Sequence, residues 1–239
     1  MKYLILFDID GTILNLKTYY SREIFSNVLR DFFLSDIIID NTFSFRGKTD
    51  LEILRLVTGR YNLDFSLILN NLNLIWDKLL LNFKKFYKSE NFQLVNGIDV
   101  FLEILAKNED LLLGLQTGNF QKNAFEKLKV FGFDKYFNFG AFGSDFEDRS
   151  KLIPLAINRA NEFIGNEIFN NKNTLIIGDS DADIVSAKSN NLPIIVVNSN
   201  ENLIDRNLLD YADLIIENYN NPNFLIEKIY SIFEKNEKN

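Results

Sequence analysis

Four short stretches of this chain concentrate the residue types that handle phosphate and hard cations. Asp8 and Asp10 flank Ile9 and run into Gly11-Thr12. Asp179, Asp181 and Asp183 stand at alternate positions after Gly178. Thr117-Gly118-Asn119 offers a hydroxyl next to two backbone amides, and Asp148-Arg149-Ser150-Lys151 brings two cations. Carboxylates two apart on an extended chain lean the same way. If Asp179 lies beside Asp8 and Asp10, three ionised groups repel unless a hard cation sits among them. Mg²⁺ suits such a site, because it takes oxygen ligands, keeps several waters and usually accompanies phosphate. Taken alone, Asp8 and Asp10 could be turn formers around Gly11. A second acidic cluster that also follows an apolar run argues for chemistry.

These stretches must be brought together by the fold. Tyr3 to Phe7 is an apolar segment that stops at Asp8, which reads as a buried strand entering a turn. Tyr20, Ile24, Val28 and Phe32 then recur every four residues, the spacing of an apolar helical face. Leu51, Leu54 and Val57 repeat it briefly, and Ile68, Leu72, Ile75, Leu79, Phe83 and Phe86 extend it, so roughly residues 15 to 90 read as helical. From Gly97 onward strands and helices alternate. Strands are expected at Leu111 to Leu115, Phe137 to Phe142, Thr174 to Ile177, Ile194 to Val197 and Leu214 to Ile216. Helices are expected at Val100 to Leu105, Phe120 to Val130, Lys151 to Phe163, Asp181 to Ser189 and Pro222 to Phe233. Such alternation implies a parallel sheet covered on both faces. The fold class is therefore α/β, a Rossmann-like sheet with a helical insertion after its first strand. Core segments 1–14 and 92–239 enclose a helical cap, 15–91. Open parallel sheets bind ligands beyond the carboxyl ends of their strands, where all four polar stretches fall.

Composition narrows the chemistry further. The 239 residues include no cysteine and no histidine. That excludes disulfides, thiolate nucleophiles, zinc sites built on Cys or His, and a Ser-His-Asp triad. Acid–base work must fall to carboxylates, Lys, Tyr or water. With 26 basic and 33 acidic residues the formal charge is −7, so nucleic acid is not an expected partner. No run of about 20 apolar residues is present, so no membrane span is expected, and no signal-peptide core precedes Asp8. A cytoplasmic location is the expectation.

Phe7-Asp8-Ile9-Asp10-Gly11-Thr12 resembles the first motif of the haloacid dehalogenase superfamily, Asp-x-Asp-Gly-Thr. Leu113 to Asn119 resembles the second, a Thr closing an apolar strand, and Gly178-Asp179-Ser180-Asp181-Ala182-Asp183 resembles the fourth. The third departs from Lys-Pro-x-Pro. Lys151-Leu152-Ile153-Pro154 keeps the Lys and the second Pro, with Leu in place of the first. Lys151 is the favoured active-site cation and Arg149, two residues earlier, the alternative.

The resemblance implies phosphoryl transfer through an aspartyl-phosphate. Asp8 would be the nucleophile and Asp10 the general acid, then base. Mg²⁺ would be held by Asp8, the Asp10 backbone carbonyl and Asp179, with Asp183 orienting metal waters or Lys151. Thr117, Gly118 and Asn119 would hold phosphoryl oxygens. Halide leaves without a proton whereas an ester oxygen needs one, so Asp10 points to a phosphatase and not a dehalogenase. The insertion resembles a small helical cap that closes over the site. In its Phe45-Arg46-Gly47-Lys48-Thr49-Asp50 loop, Arg46 and Lys48 could meet an anionic part of the substrate and Asp50 could cap the next helix. The expected partner is a small phosphorylated metabolite. A sugar-phosphate mutase of the β-phosphoglucomutase type, or a non-catalytic binding module, are the alternatives. The ester and the oligomeric state are open at this point.

Overall fold

The structure is a computed structural model that describes residues 1–16, 20–199 and 204–238. Its centre is β1 (Tyr3–Phe7), five consecutive apolar residues buried on both faces. Side chains alternate across a strand. Tyr3, Ile5 and Phe7 therefore join one apolar layer, and Leu4 and Leu6 the other.

β1 pairs in parallel with β4 (Leu111–Thr117) and β6 (Thr174–Gly178). The sheet continues to β5 (Gly140–Phe142) on one side and to β7 (Ile194–Val197) and β8 (Leu214–Ile216) on the other. The order is β5-β4-β1-β6-β7-β8, with every pairing parallel. One face is covered by α5 (Ile98–Ala106), α6 (Gln121–Lys129) and α10 (Pro222–Glu237). The other carries α7 (Leu152–Ile164) and α8 (Asp181–Ser189), with the short α9 (Arg206–Leu209) at its margin. The expected parallel α/β sheet with a helical insertion is what folds.

The insertion holds α1 (Tyr20–Phe33), α2 (Asp50–Arg60), α3 (Phe65–Leu69) and α4 (Leu72–Phe83) around a third apolar cluster. Phe120 from the core joins that cluster, stacked on Trp76 with ring centroids 4.9 Å apart.

Several local expectations are corrected. The region is not helical throughout, because the chain between α1 and α2 lacks regular structure. The long stripe from Ile68 to Phe86 divides at Asn70-Asn71, whose side chains compete for backbone hydrogen bonds and disfavour helix interiors. The strand expected at Phe137 to Phe142 shortens to β5, after a 3₁₀ turn at Asp134–Tyr136. β2 (Leu14–Leu16) and β3 (Phe92–Leu94) form an antiparallel two-stranded ribbon at the roots of the insertion. At three residues each, they are too short to carry a periodic signal. Among the described residues no helix is long and apolar enough to cross a membrane.

Candidate active site

The four polar stretches converge at the carboxyl ends of β1, β4 and β6 and the start of α7. Beneath the cap they border a cavity of about 390 Å³. Asp8 leaves β1 almost fully buried, at 5% exposure. One of its carboxylate oxygens lies 3.0 Å from Arg149 and the other, Oδ1, has no hydrogen-bond partner. Asp179 follows β6, and Asp183 sits in the first turn of α8. Asp8, Asp179 and Asp183 each offer an oxygen, all within 4.8 Å of one another.

Gly11 is required by this packing. Its φ of +86° lies in the left-handed region, and a Cβ there would stand 2.1 Å from an Asp179 oxygen. Burial pushes the Asp8 carboxyl up to about 6, against the pull of Arg149, with Asp183 and Asp10 adding repulsion. Burial, then Asp183 and Asp8, hold Asp179 well above the usual carboxylate range. Crowded carboxylates that resist ionisation, one with an orphaned buried oxygen, fit a divalent cation.

Arg149, and not Lys151, is the cation at Asp8, which corrects the favoured assignment. Arg149 is 7% exposed and donates to Asp183 at 2.6 and 3.1 Å besides meeting Asp8. Burial opposes its charge, but Asp183 and Asp8 more than offset this and raise its pKa. Lys151 is exposed. The reason is helical register. Asp148 caps the 3₁₀ turn at Arg149–Lys151 by accepting from the Ser150 amide, and α7 then buries Leu152 and Ile153 in the sheet-side core. Asp183 accepts from Arg149 and from the Ser180 hydroxyl, each at 2.6 Å, and also from the Ser180 backbone amide at 3.1 Å, which closes the capping box of α8. It does not engage Lys151.

Asp10 sits in different surroundings. Both its oxygens accept from Lys127 Nζ, at 2.8 and 2.7 Å, and one also accepts from Asn119 Nδ2 at 2.7 Å. Its side chain is outside the Asp8–Asp179–Asp183 cluster. Thr117 closes β4 fully buried, and its hydroxyl accepts from the Asn119 amide and side chain, at 3.3 and 2.9 Å. The Asn119 amide expected to hold phosphate is thus already shared with Thr117.

The cap contributes directly. Arg46 donates to the Asp179 carbonyl at 2.6 Å and lies 3.4 Å from its carboxylate, while Lys48 pairs with Glu52 at 3.2 Å. Both line the cavity. Thr49, not Asp50, is the N-cap of α2, accepting from the Glu52 amide. Asp50 reaches across to the core instead. Its amide donates to the Gly118 carbonyl and its carboxylate accepts from the Phe120 amide, each at 2.8 Å. Any side chain on Gly118 would strike the Lys48 carbonyl, 2.2 Å from an added Cβ. Burial pushes Asp50 up to about 7, opposed by its bond from Phe120 and by Lys127.

Lys127 and the core-facing role of Asp50 escape a reading of motifs. The available signal for Lys127 was its place on α6, on the same inward face as Ala124 and Leu128. A lysine there needs a buried partner.

The sequence model of a family described as "Haloacid dehalogenase-like hydrolase" matches residues 5–197. No curated protein matches the chain. Among solved structures, β-phosphoglucomutase from Clostridium difficile is 20% identical, with 97% of this chain and 98% of that one covered and a TM-score of 0.69. A predicted phosphatase from Clostridium acetobutylicum is 20% identical over 97% and 99%, at 0.62. CbbY from Rhodobacter sphaeroides, solved with phosphate, is 16% identical over 92% and 96%, at 0.65. At these identities the likeness is one of fold.

Proposed function

The chain belongs to the haloacid dehalogenase-like hydrolase family, and from that premise we propose a magnesium-dependent phosphomonoester hydrolase that acts on a small phosphorylated metabolite. One observation carries this reading. Two aspartates only two residues apart occupy opposite environments, Asp8 buried among carboxylates and Asp10 held apart by Lys127 and Asn119. Division of paired carboxylates by environment separates nucleophile from acid–base.

The Asp8 carboxylate attacks phosphorus in line. The new O–P bond forms as the ester P–O bond breaks, and Asp10 gives its proton to the departing oxygen. Asp10 then takes a proton from the water that attacks the aspartyl-phosphate, which frees Asp8 and inorganic phosphate. Arg149 balances charge on the phosphoryl oxygens, and the Thr117 hydroxyl holds one of them. A divalent cation, held by Asp8, Asp179 and the Asp10 backbone carbonyl, would supply further charge neutralisation there. The cap excludes bulk water.

The test is a phosphate-release screen over phosphorylated metabolites with Mg²⁺, with p-nitrophenyl phosphate as generic ester. Asp8→Asn barely changes side-chain volume, so turnover is expected to vanish with the fold intact. Substantial residual turnover, or isomer formation without phosphate release, would refute the assignment.

A further inference from the structure

We propose that Lys127 is the positioning residue of Asp10, fixing the orientation of its carboxylate for both proton transfers; this rests on the phosphatase reading above. An ammonium has three N–H donors. Lys127 spends them on three acceptors, both Asp10 oxygens at 2.8 and 2.7 Å and Asn119 Oδ1 at 2.7 Å. Asn119 completes the clamp by donating to Asp10 Oδ2.

The clamp is itself held. Asn119 also donates to Thr117, and its Oδ1 accepts from Asn123 Nδ2 at 3.2 Å. Asn123 in turn accepts from the Tyr87 hydroxyl, on the segment returning from the cap. Lys127 is 8% exposed at its side chain and Asp10 44%. The grip therefore comes from the protein side, and the outer side of the carboxylate is free to face the cavity. An apolar residue would suit the inward face of α6 without the cost of burying a charge. What the lysine adds is a fixed Asp10, and proton transfer depends on such alignment.

A purely structural ion pair is separable from this role by leaving-group dependence. An alkyl phosphate needs the general acid far more than p-nitrophenyl phosphate does. Lys127→Met is expected to cost on the order of 10²-fold on the alkyl ester, and much less on the aryl ester. Lys127→Arg should recover most of the loss. In an Asp10→Asn background, Lys127→Met should have no further effect. Equal losses on both esters, or losses that multiply in the double variant, would overturn the proposal.

A second readout is independent of turnover. Three-bond couplings to the Asp10 carboxyl carbon should report one χ1 rotamer in the parent protein and averaged rotamers in Lys127→Met; unchanged couplings would also overturn it. Lys127→Ala carries the same measurements if the Met variant does not fold. A parent protein that cleaves neither ester ends the phosphatase reading, while the couplings still decide the clamp.

Discussion

Arg149 ties two carboxylates of this site together, and its loss would leave Asp8 and Asp183 buried and facing each other without a counter-charge. Breaking one side of a buried pair costs about 3–5 kcal/mol, or roughly 6–20 °C in a chain this long. Arg149→Met is expected to fall in that range and to lose turnover, whereas exposed Lys151→Met should change stability by no more than about 0.5 kcal/mol. Thermal unfolding and phosphate release on both variants check this; an inactive Lys151→Met beside an active Arg149→Met would reverse the assignment. The acidic residues were legible because Asp8, Asp10 and Asp179 stand directly after apolar strands. The choice between Arg149 and Lys151 was not, because it depends on where the 3₁₀ turn at Arg149–Lys151 gives way to α7, which decides which of the two side chains turns inward. Lys127 was hidden for a different reason. Nothing in a single sequence distinguishes a lysine on an inward helical face from an error in placing that face.

At the scale of elements, the junction between cap and core turns on the first residue of α2. Asp50 is 9% exposed, and its carboxyl is raised from the ordinary 3.8 to about 7 by burial. The folded protein thus keeps this proton up to about pH 7, while the unfolded chain releases it near pH 4. The folded state binds more protons between those values, so stability from Asp50 falls as pH rises from about 4 to 7 and is level beyond. Asp50→Asn keeps an acceptor for the Phe120 amide and removes the titration. The variant should match its parent near pH 4 and exceed it increasingly up to pH 7.5, by at most about 4 kcal/mol. Denaturant unfolding at several pH values reads the difference, and a pH-independent gap would show that Asp50 does not carry the charge penalty. The helices of the cap were readable from their four-residue repeats, since α1 and α4 bury one face each. The link between α1 and α2 was not, because Arg46 within it and Asp50 just after it find partners in the core, and partners distant in sequence leave no local pattern.

At the scale of the molecule, the cluster of Asp8, Asp179 and Asp183 makes the fold pay for its own site, since three close carboxylates repel. Cation binding to the folded state alone should relieve this. Magnesium at about 100 times its dissociation constant would add about 2.7 kcal/mol, seen as a rise in melting temperature that EDTA reverses along with turnover. Asp179→Asn should lose most of that rise; an equal rise in the variant would place the ion elsewhere. The sheet was legible as a whole because strands buried on both faces read as apolar runs. The ribbon that joins cap to sheet was not, yet it has the widest consequence. Leu16 and Phe92 face each other across β2 and β3, so the chain departs and comes back at one place. Ends so close could be bridged by a tight two-residue turn. Lineages could therefore enlarge, shrink or exchange the lid as a module, altering what gains entry to the cavity while Asp8 and its neighbours stay where they are.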